Sequence, residues 1–164
     1  MNARIRRATS SDAPAIAQLI ESIGYPASVD AVAGAMRAFE NASMFPAVVA
    51  EHDGAVVGVL ALCCRPSLTL QGWVGAVAEL VVAPEFRRSE IGEALLHYAK
   101  GLAVERGLAR LECVVPAAHG AASAGFLLER GFEEADALTY RWSVLESKHP
   151  RLPPPSRVRR PIPA

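Results

Sequence analysis

Apolar residues recur along this chain with two different periods, and each change of period marks an expected element. Ile5 to Ala8 is a short strand candidate. Ser10 or Ser11 is placed to cap a helix, with Pro14 in its first turn, where a missing N–H is harmless. Ile16, Leu19, Ile20 and Ile23 then fall at helical spacing, and Gly24 ends the run. Tyr25-Pro26 links to a second helix, capped by Ser28 or Asp30, that carries Val32, Met36 and Phe39.

After Pro46 the period changes. Ala47 to Glu51 reads as a strand, Asp53-Gly54 as a two-residue hairpin turn, and Ala55 to Cys64 as the returning strand. Pro66 to Gly72 reads as a loop and Trp73 to Val82 as a third strand, stopped at Ala83-Pro84. From about Ser89 to Arg106 the pattern is helical again. Ile91, Leu95, Ala99 and Leu102 share one face, and Gly107 is the C-terminal cap. Leu108 to Val115 is a strand, Ala121 to Arg130 a helix ended by Gly131, and Thr139 to Val144 a last strand. The order β-α-α-β-β-β-α-β-α-β predicts an α+β fold. Its central sheet is mixed and mostly antiparallel, with helices on both faces.

Composition narrows this only in part. At 164 residues, with 51% hydrophobic and 21% charged side chains, the chain reads as one globular domain. The formal net charge is zero, which excludes nucleic-acid binding driven by bulk charge. That zero conceals a division. Lys148, Arg151, Arg157, Arg159 and Arg160 against Glu146 give residues 144–164 a net +4, leaving −4 for the rest. Six of the 12 prolines fall in the same stretch. The expected organisation is a single domain over 1–146 and a basic, Pro-rich tail over 147–164. The tail is either solvated or an arm that docks on an acidic surface.

Cys63, Cys64 and Cys113 form no metal-ligand spacing, so no metal is expected. The longest apolar run, Ala55 to Cys64, is too short to span a membrane, and no membrane partner is expected. The basic N-terminus lacks the apolar stretch of a signal peptide, which makes a cytoplasmic location the expectation. The preference for Arg over Lys, with abundant Ala, hints at a GC-rich bacterial source.

The chemistry concentrates between Glu79 and Leu96, in ELVVAPEFRRSEIGEALL. An apolar strand, a proline stop and the start of a helix make an anion site, because first-turn N–H groups lack partners and the helix dipole favours negative charge. Arg87 and Arg88 add cationic donors, Ser89 a cap or a hydroxyl donor, and Gly92 room for a phosphate or a packed backbone. The alternative is a capped helix with two solvated arginines. The segment is neither a P-loop nor a Rossmann fingerprint, since it lacks Gly-Lys-Ser/Thr and the three-glycine spacing.

From about Ile5 to Trp142 the chain resembles the GNAT superfamily of acyl-CoA-dependent N-acyltransferases. Leu80, Val82, Pro84, Arg87 and Gly92 match its phosphate-loop pattern, Q/R-x-x-G-x-G/A after L-x-V-x-P. Phe126, Gly131 and Phe132 match a second motif, F-Y-x-x-x-G-F. The resemblance implies acetyl-CoA as co-substrate. The N–H groups of Arg87, Arg88, Ser89, Glu90, Ile91 and Gly92 would cradle its pyrophosphate, and the backbone of Leu80, Val81 and Val82 would pair with its pantetheine arm. Phe126 joins this cofactor-binding set. A β-bulge would splay the Trp73–Val82 strand from the Leu108–Val115 strand, and the N–H of Val81 or Val82 would polarise the thioester. The acceptor, a small-molecule or peptide amine, would attack directly. Many members of the superfamily are dimers, which allows a homodimer here.

Two residues depart from the pattern. Glu90 stands where the first glycine is expected. At ~4 Å a carboxylate–phosphate repulsion runs from about 1 kcal/mol in water to about 4 kcal/mol at an effective dielectric of 20. If Glu90 instead points to solvent, it stabilises the first helical turn. Leu127 stands where a tyrosine often protonates the leaving thiolate. Ser123, one turn earlier, and His119 in the preceding loop are the candidate replacements, and an unassisted thiolate is the alternative. Glu79, acidic in an apolar strand, is the candidate general base. The acceptor is expected between the first two helices, the Arg65–Gly72 loop and the last strands, near Tyr25, Phe39, Phe45 and Trp73. Three functions stay open: an N-acetyltransferase, a degenerate GNAT domain that binds a ligand or a partner without turnover, or a structural or interaction module centred on the basic tail.

Overall fold

A computed structural model describes residues 3–42, 44, 46–87, 89–116, 120–137 and 139–140. The elements are β1 (Arg4–Arg7), α1 (Ala13–Ser22), α2 (Val29–Asn41), β2 (Ala47–His52), β3 (Ala55–Ser67), β4 (Gly72–Val82), α3 (Glu90–Glu105), β5 (Arg110–Cys113) and α4 (Gly120–Leu128). By internal contacts they divide into two compact units, Met1–Val114 and Val115–Ala164. The expected boundary at residues 146/147 and the basic tail lie outside the described residues. So do Arg88, His119, Phe45 and most of the expected last strand. Its described residues, Thr139 and Tyr140, are not in a strand.

The first unit is a five-stranded sheet in the order β1-β2-β3-β4-β5, antiparallel except for the parallel β4–β5 pair. The Asp53-Gly54 turn joins β2 to β3 with both residues at positive φ, 49° and 77°, as the tight hairpin requires. α3 covers one face. A Cβ built on Gly58 of β3 would lie 3.0 Å from Leu95 Cδ1 and 3.3 Å from Ile91 Cγ2, so this glycine lets helix and strand approach closely. The opposite face, where Val59, Ala61 and Val81 are also buried, receives α1 and α2. Burial on both faces of β3 explains its near-continuous apolar sequence.

Local chemistry sets the helix ends. Ser28 caps α2, its Oγ accepting from the Ala31 N–H at 3.2 Å. Before α1 the observed start differs from the expected Ser10 or Ser11 cap. A 3₁₀ turn spans Ser10–Asp12, and Asp12 Oδ2 accepts from the Thr9 N–H at 2.9 Å. Asp12 is buried and is also gripped by the Arg6 guanidinium at 2.7 and 2.9 Å, which ties β1 to the start of α1.

The β3–β4 hairpin is longer than expected. β3 runs through Pro66 to Ser67, leaving only Leu68–Gln71 as loop. Pro66 fits because β3 donates toward β2 at Leu62 and Cys64, so the nitrogen at 66 faces that side, beyond the end of the β2 ladder.

Candidate active site

The open edge of β4 follows from a count of residues. Ala61 of β3 lies opposite Glu79, but Leu62 lies opposite Val77, so Ala78 is an extra residue on β4. This is a β-bulge. On the other side β4 pairs with β5 only from Val74–Arg110 to Val77–Cys113. Beyond the bulge, β4 has left β5. Ala78 is the residue at which the expected splay of β4 from β5 begins.

The ladder phase shows what is exposed there. The Ala83 N–H donates to the Val57 carbonyl at 2.9 Å. Hydrogen-bonded and non-bonded pairs alternate in an antiparallel ladder, so Val81 and Glu79 also turn their N–H groups toward β3. Leu80 and Val82 turn theirs to the open side, where β5 no longer pairs. Of the two expected oxyanion donors, only Val82 presents its N–H on that side. Val81 is turned the wrong way by the alternation, and its side chain is buried on the face opposite α3.

The chain then turns into α3 through a 3₁₀ turn at Pro84–Phe86. Within it the Arg87 N–H donates to the Pro84 carbonyl at 3.3 Å and the Ser89 N–H to the Phe86 carbonyl at 3.2 Å. Ser89 is the N-cap. Its Oγ accepts from the Ile91 N–H at 3.3 Å and donates to the Phe86 carbonyl at 2.6 Å. Three of the six N–H groups expected to cradle a pyrophosphate, those of Arg87, Ser89 and Ile91, therefore already hold acceptors inside the turn. The cradle narrows to the rest of the first turn of α3. The Ile91 side chain is buried against Gly58, and Gly92 is buried in the helix.

Arg87 is exposed and folds back. Its Nε donates to the Val82 carbonyl and Nη2 to the Ser22 carbonyl, both at 3.4 Å, linking the end of α1 to the end of β4. Glu90 is exposed and lines a hollow of α3 with Ile5, Glu93, Ala94, His97 and Tyr98. Ile5 belongs to β1, three strands from β4.

Glu79 shares the face of Ala61, opposite α3, directly after the bulge. Its side chain reaches solvent and makes no hydrogen bond or ion pair among the described residues. The protein mass around it removes water, and that burial raises its carboxyl above the ordinary 4.5.

In the second unit, Ser123 is half-buried on α4 and Leu127, one turn on, is buried. Phe126 carries the Arg130 guanidinium 4.1 Å above its ring, and Arg130 Nη1 donates to the Phe126 carbonyl at 3.2 Å. Among the described residues no group of three or more His, Cys, Asp or Glu could hold a metal, and no helix is long and apolar enough to cross a membrane.

The model of the Acetyltransferase (GNAT) family matches residues 15–132, and the chain belongs to that family. Solved structures show the same fold. An acetyltransferase from Trypanosoma brucei superposes with a TM-score of 0.71 at 20% identity, over 87% of this chain and 100% of that one. A ribosomal-protein-alanine N-acetyltransferase from Brucella melitensis gives 0.67 at 20% identity, over 87% and 99%. An aminoglycoside acetyltransferase from an uncultured soil metagenomic sample gives 0.72 at 19%, over 88% and 100%. No curated protein sequence matches significantly.

Proposed function

We propose that this chain transfers an acetyl group from acetyl-CoA to a primary amine by direct attack in a ternary complex. The observation that carries this reading is the presence, on one bulged strand, of Glu79 and of a Val82 N–H that no strand pairs with among the described residues. The residues present fit the co-substrate. Leu80 and Val82 offer strand-edge donors and acceptors to an extended amide arm, and the first turn of α3 offers N–H groups to a pyrophosphate. Acetyl-CoA supplies an acyl carbon activated as a thioester.

The chain's residues do the rest. The Val82 N–H is aimed where negative charge develops on the acyl oxygen. Glu79 takes the proton of the amine, directly or through a water, as the N–C bond forms and the C–S bond breaks. For the departing thiolate we keep Ser123 and His119 as proposed proton donors, on the strength of the sequence motif alone.

A second reading, binding without turnover, is favoured by Leu127, which cannot donate a proton. A thermal-shift titration with acetyl-CoA, followed by a thiol-release assay over amine classes, decides between them. Stabilisation with thiol release supports the transferase. Stabilisation without release for any amine supports the binder. No stabilisation at millimolar acetyl-CoA overturns both.

A further inference from the structure

Glu79 is not the only charged group on its face of the sheet. Leu62 shares the α3 face with Leu60 and Gly58, so Cys63 and Arg65 fall on the opposite face, together with Ala61 and Glu79. The register runs Cys63–Ala76–Glu112 in one row and Arg65–Val74–Arg110 in the next. Arg65 on β3 reaches across β4 to Glu112 on β5, Nη2 to Oε2 at 3.1 Å. Arg110 holds the other carboxylate oxygen through Nε at 2.7 Å and Nη2 at 2.6 Å. Val74, on the strand this bridge spans, is fully buried.

Two guanidiniums therefore share one carboxylate, which leaves a net charge of +1. Both arginines are more than half exposed, at 52% and 57%. Among the described residues, no other acceptor takes Nε or Nη1 of Arg65 or Nη1 of Arg110. Glu112 holds the pair side by side. The face thus has a negative pole at Glu79 and a positive pole at Arg65 and Arg110. Glu79 lies three residues along β4 from the Ala76 row and five from the Val74 row. That is about 10 and 16 Å of extended chain, shortened by the bulge and by the reach of the arginines.

We propose that Arg65 and Arg110 form an anion subsite for the acceptor, which is an amine carrying a carboxylate several bonds from its nitrogen. The inference rests on the transferase reading above: the ammonium end meets Glu79 and the carboxylate end meets the arginine pair. Guanidinium–carboxylate pairing supplies the selection, since a neutral amine of the same length leaves those donors to water.

The probes are ε-aminocaproate and hexylamine, titrated by calorimetry into the full chain with and without saturating CoA. The expected result is at least tenfold tighter binding of ε-aminocaproate. Replacing both arginines, Arg65→Gln with Arg110→Gln, should remove that preference and leave acetyl-CoA affinity unchanged. Arg65→Lys and Arg110→Lys should keep part of it, and they carry the test if the double glutamine variant does not fold. Glu112→Gln separates the subsite from a merely structural triad. It raises the local charge to +2 and should tighten ε-aminocaproate several-fold, whereas a structural triad would show only a lower melting temperature. Equal affinity for the two amines overturns the inference and leaves the transferase reading standing. A carboxylate preference in a protein that binds no CoA sustains the subsite and overturns the transferase reading.

Discussion

Val77 and Cys113 are the last cross-strand pair between β4 and β5, and the residue that follows Val77 is the bulged Ala78. The two facts are linked. A bulge increases local twist and bends its strand, which carries β4 away from a partner that has only four paired residues to hold it. Deleting Ala78 should close the site. Without it, Val77 and Glu79 become consecutive and already point to opposite faces, so a regular ladder with β3 results. β4 and β5 can then keep pairing past Cys113, which occupies the edge groups of Leu80 and Val82. Acetyl-CoA affinity should fall more than tenfold by calorimetry, while far-ultraviolet circular dichroism stays that of a folded protein. Ala78→Gly keeps the residue count and should keep the affinity.

Gly58 sets the distance between β3 and α3. An added Cβ would meet Leu95, which is fully buried and cannot swing away, and would also lie 3.4 Å from the Val81 carbonyl. Gly58→Ala should destabilise the protein by about 1–3 kcal/mol, the usual range for an overpacked core. The relief available is a shift of α3, whose first turn is the proposed pyrophosphate cradle. A denaturant midpoint and an acetyl-CoA titration on the same variant should therefore fall together.

Features governed by neighbours in sequence were legible in the sequence. Ser28 and Ser89 cap their helices, Gly107 sits at positive φ after α3, and Asp53-Gly54 makes the hairpin turn. Features governed by a distant partner were not. The position of the bulge depends on how β3 and β4 count against each other, and the choice of Val82 over Val81 depends on ladder phase. Pro66 suggests a loop by residue type but lies in β3, because the harm done by a proline depends on whether a strand lies beside it. Gly58 did carry a signal, since a glycine inside an apolar strand suggests a close backbone approach. Arg65 and Glu112 are 47 residues apart, and only the three-strand register brings them together.

Asp12 joins β1 to α1 through Arg6 and holds the Thr9 N–H. The Arg6 guanidinium keeps its carboxyl below the ordinary range. A carboxyl lowered by folding stabilises the protein above its unfolded-state pKa, and that contribution is lost as pH falls through the folded value. Asp12→Ala removes the ion pair and the cap bond and leaves a partly buried guanidinium with Glu51 alone. The expected loss is about 2–4 kcal/mol near neutral pH. Urea unfolding at neutral and strongly acidic pH should show the gap between variant and wild type narrowing in acid, where Asp12 is protonated in both states.

Glu79 has the opposite sign. Burial raises its carboxyl above 4.5, so the folded protein binds this proton more tightly than the unfolded chain does. The stabilising contribution is complete below the unfolded value and is lost as pH rises through the folded one. Glu79→Gln never ionises and should melt no lower than wild type near neutral pH, with its relative advantage disappearing in acid. The proposed role as general base needs the ionised form that the fold disfavours. Turnover by the wild type should climb with pH until Glu79 is deprotonated, on a limb displaced upward from the ordinary glutamate range. Glu79→Gln should lose that limb and about 10²- to 10⁴-fold in kcat, the range for a general base, while the KM for acetyl-CoA stays put. An unchanged kcat would remove Glu79 from the chemistry. A lost kcat with a lowered melting temperature would make it a structural residue. Only lost turnover with undiminished stability fits a carboxylate whose proton affinity the surrounding protein raises for the sake of the reaction.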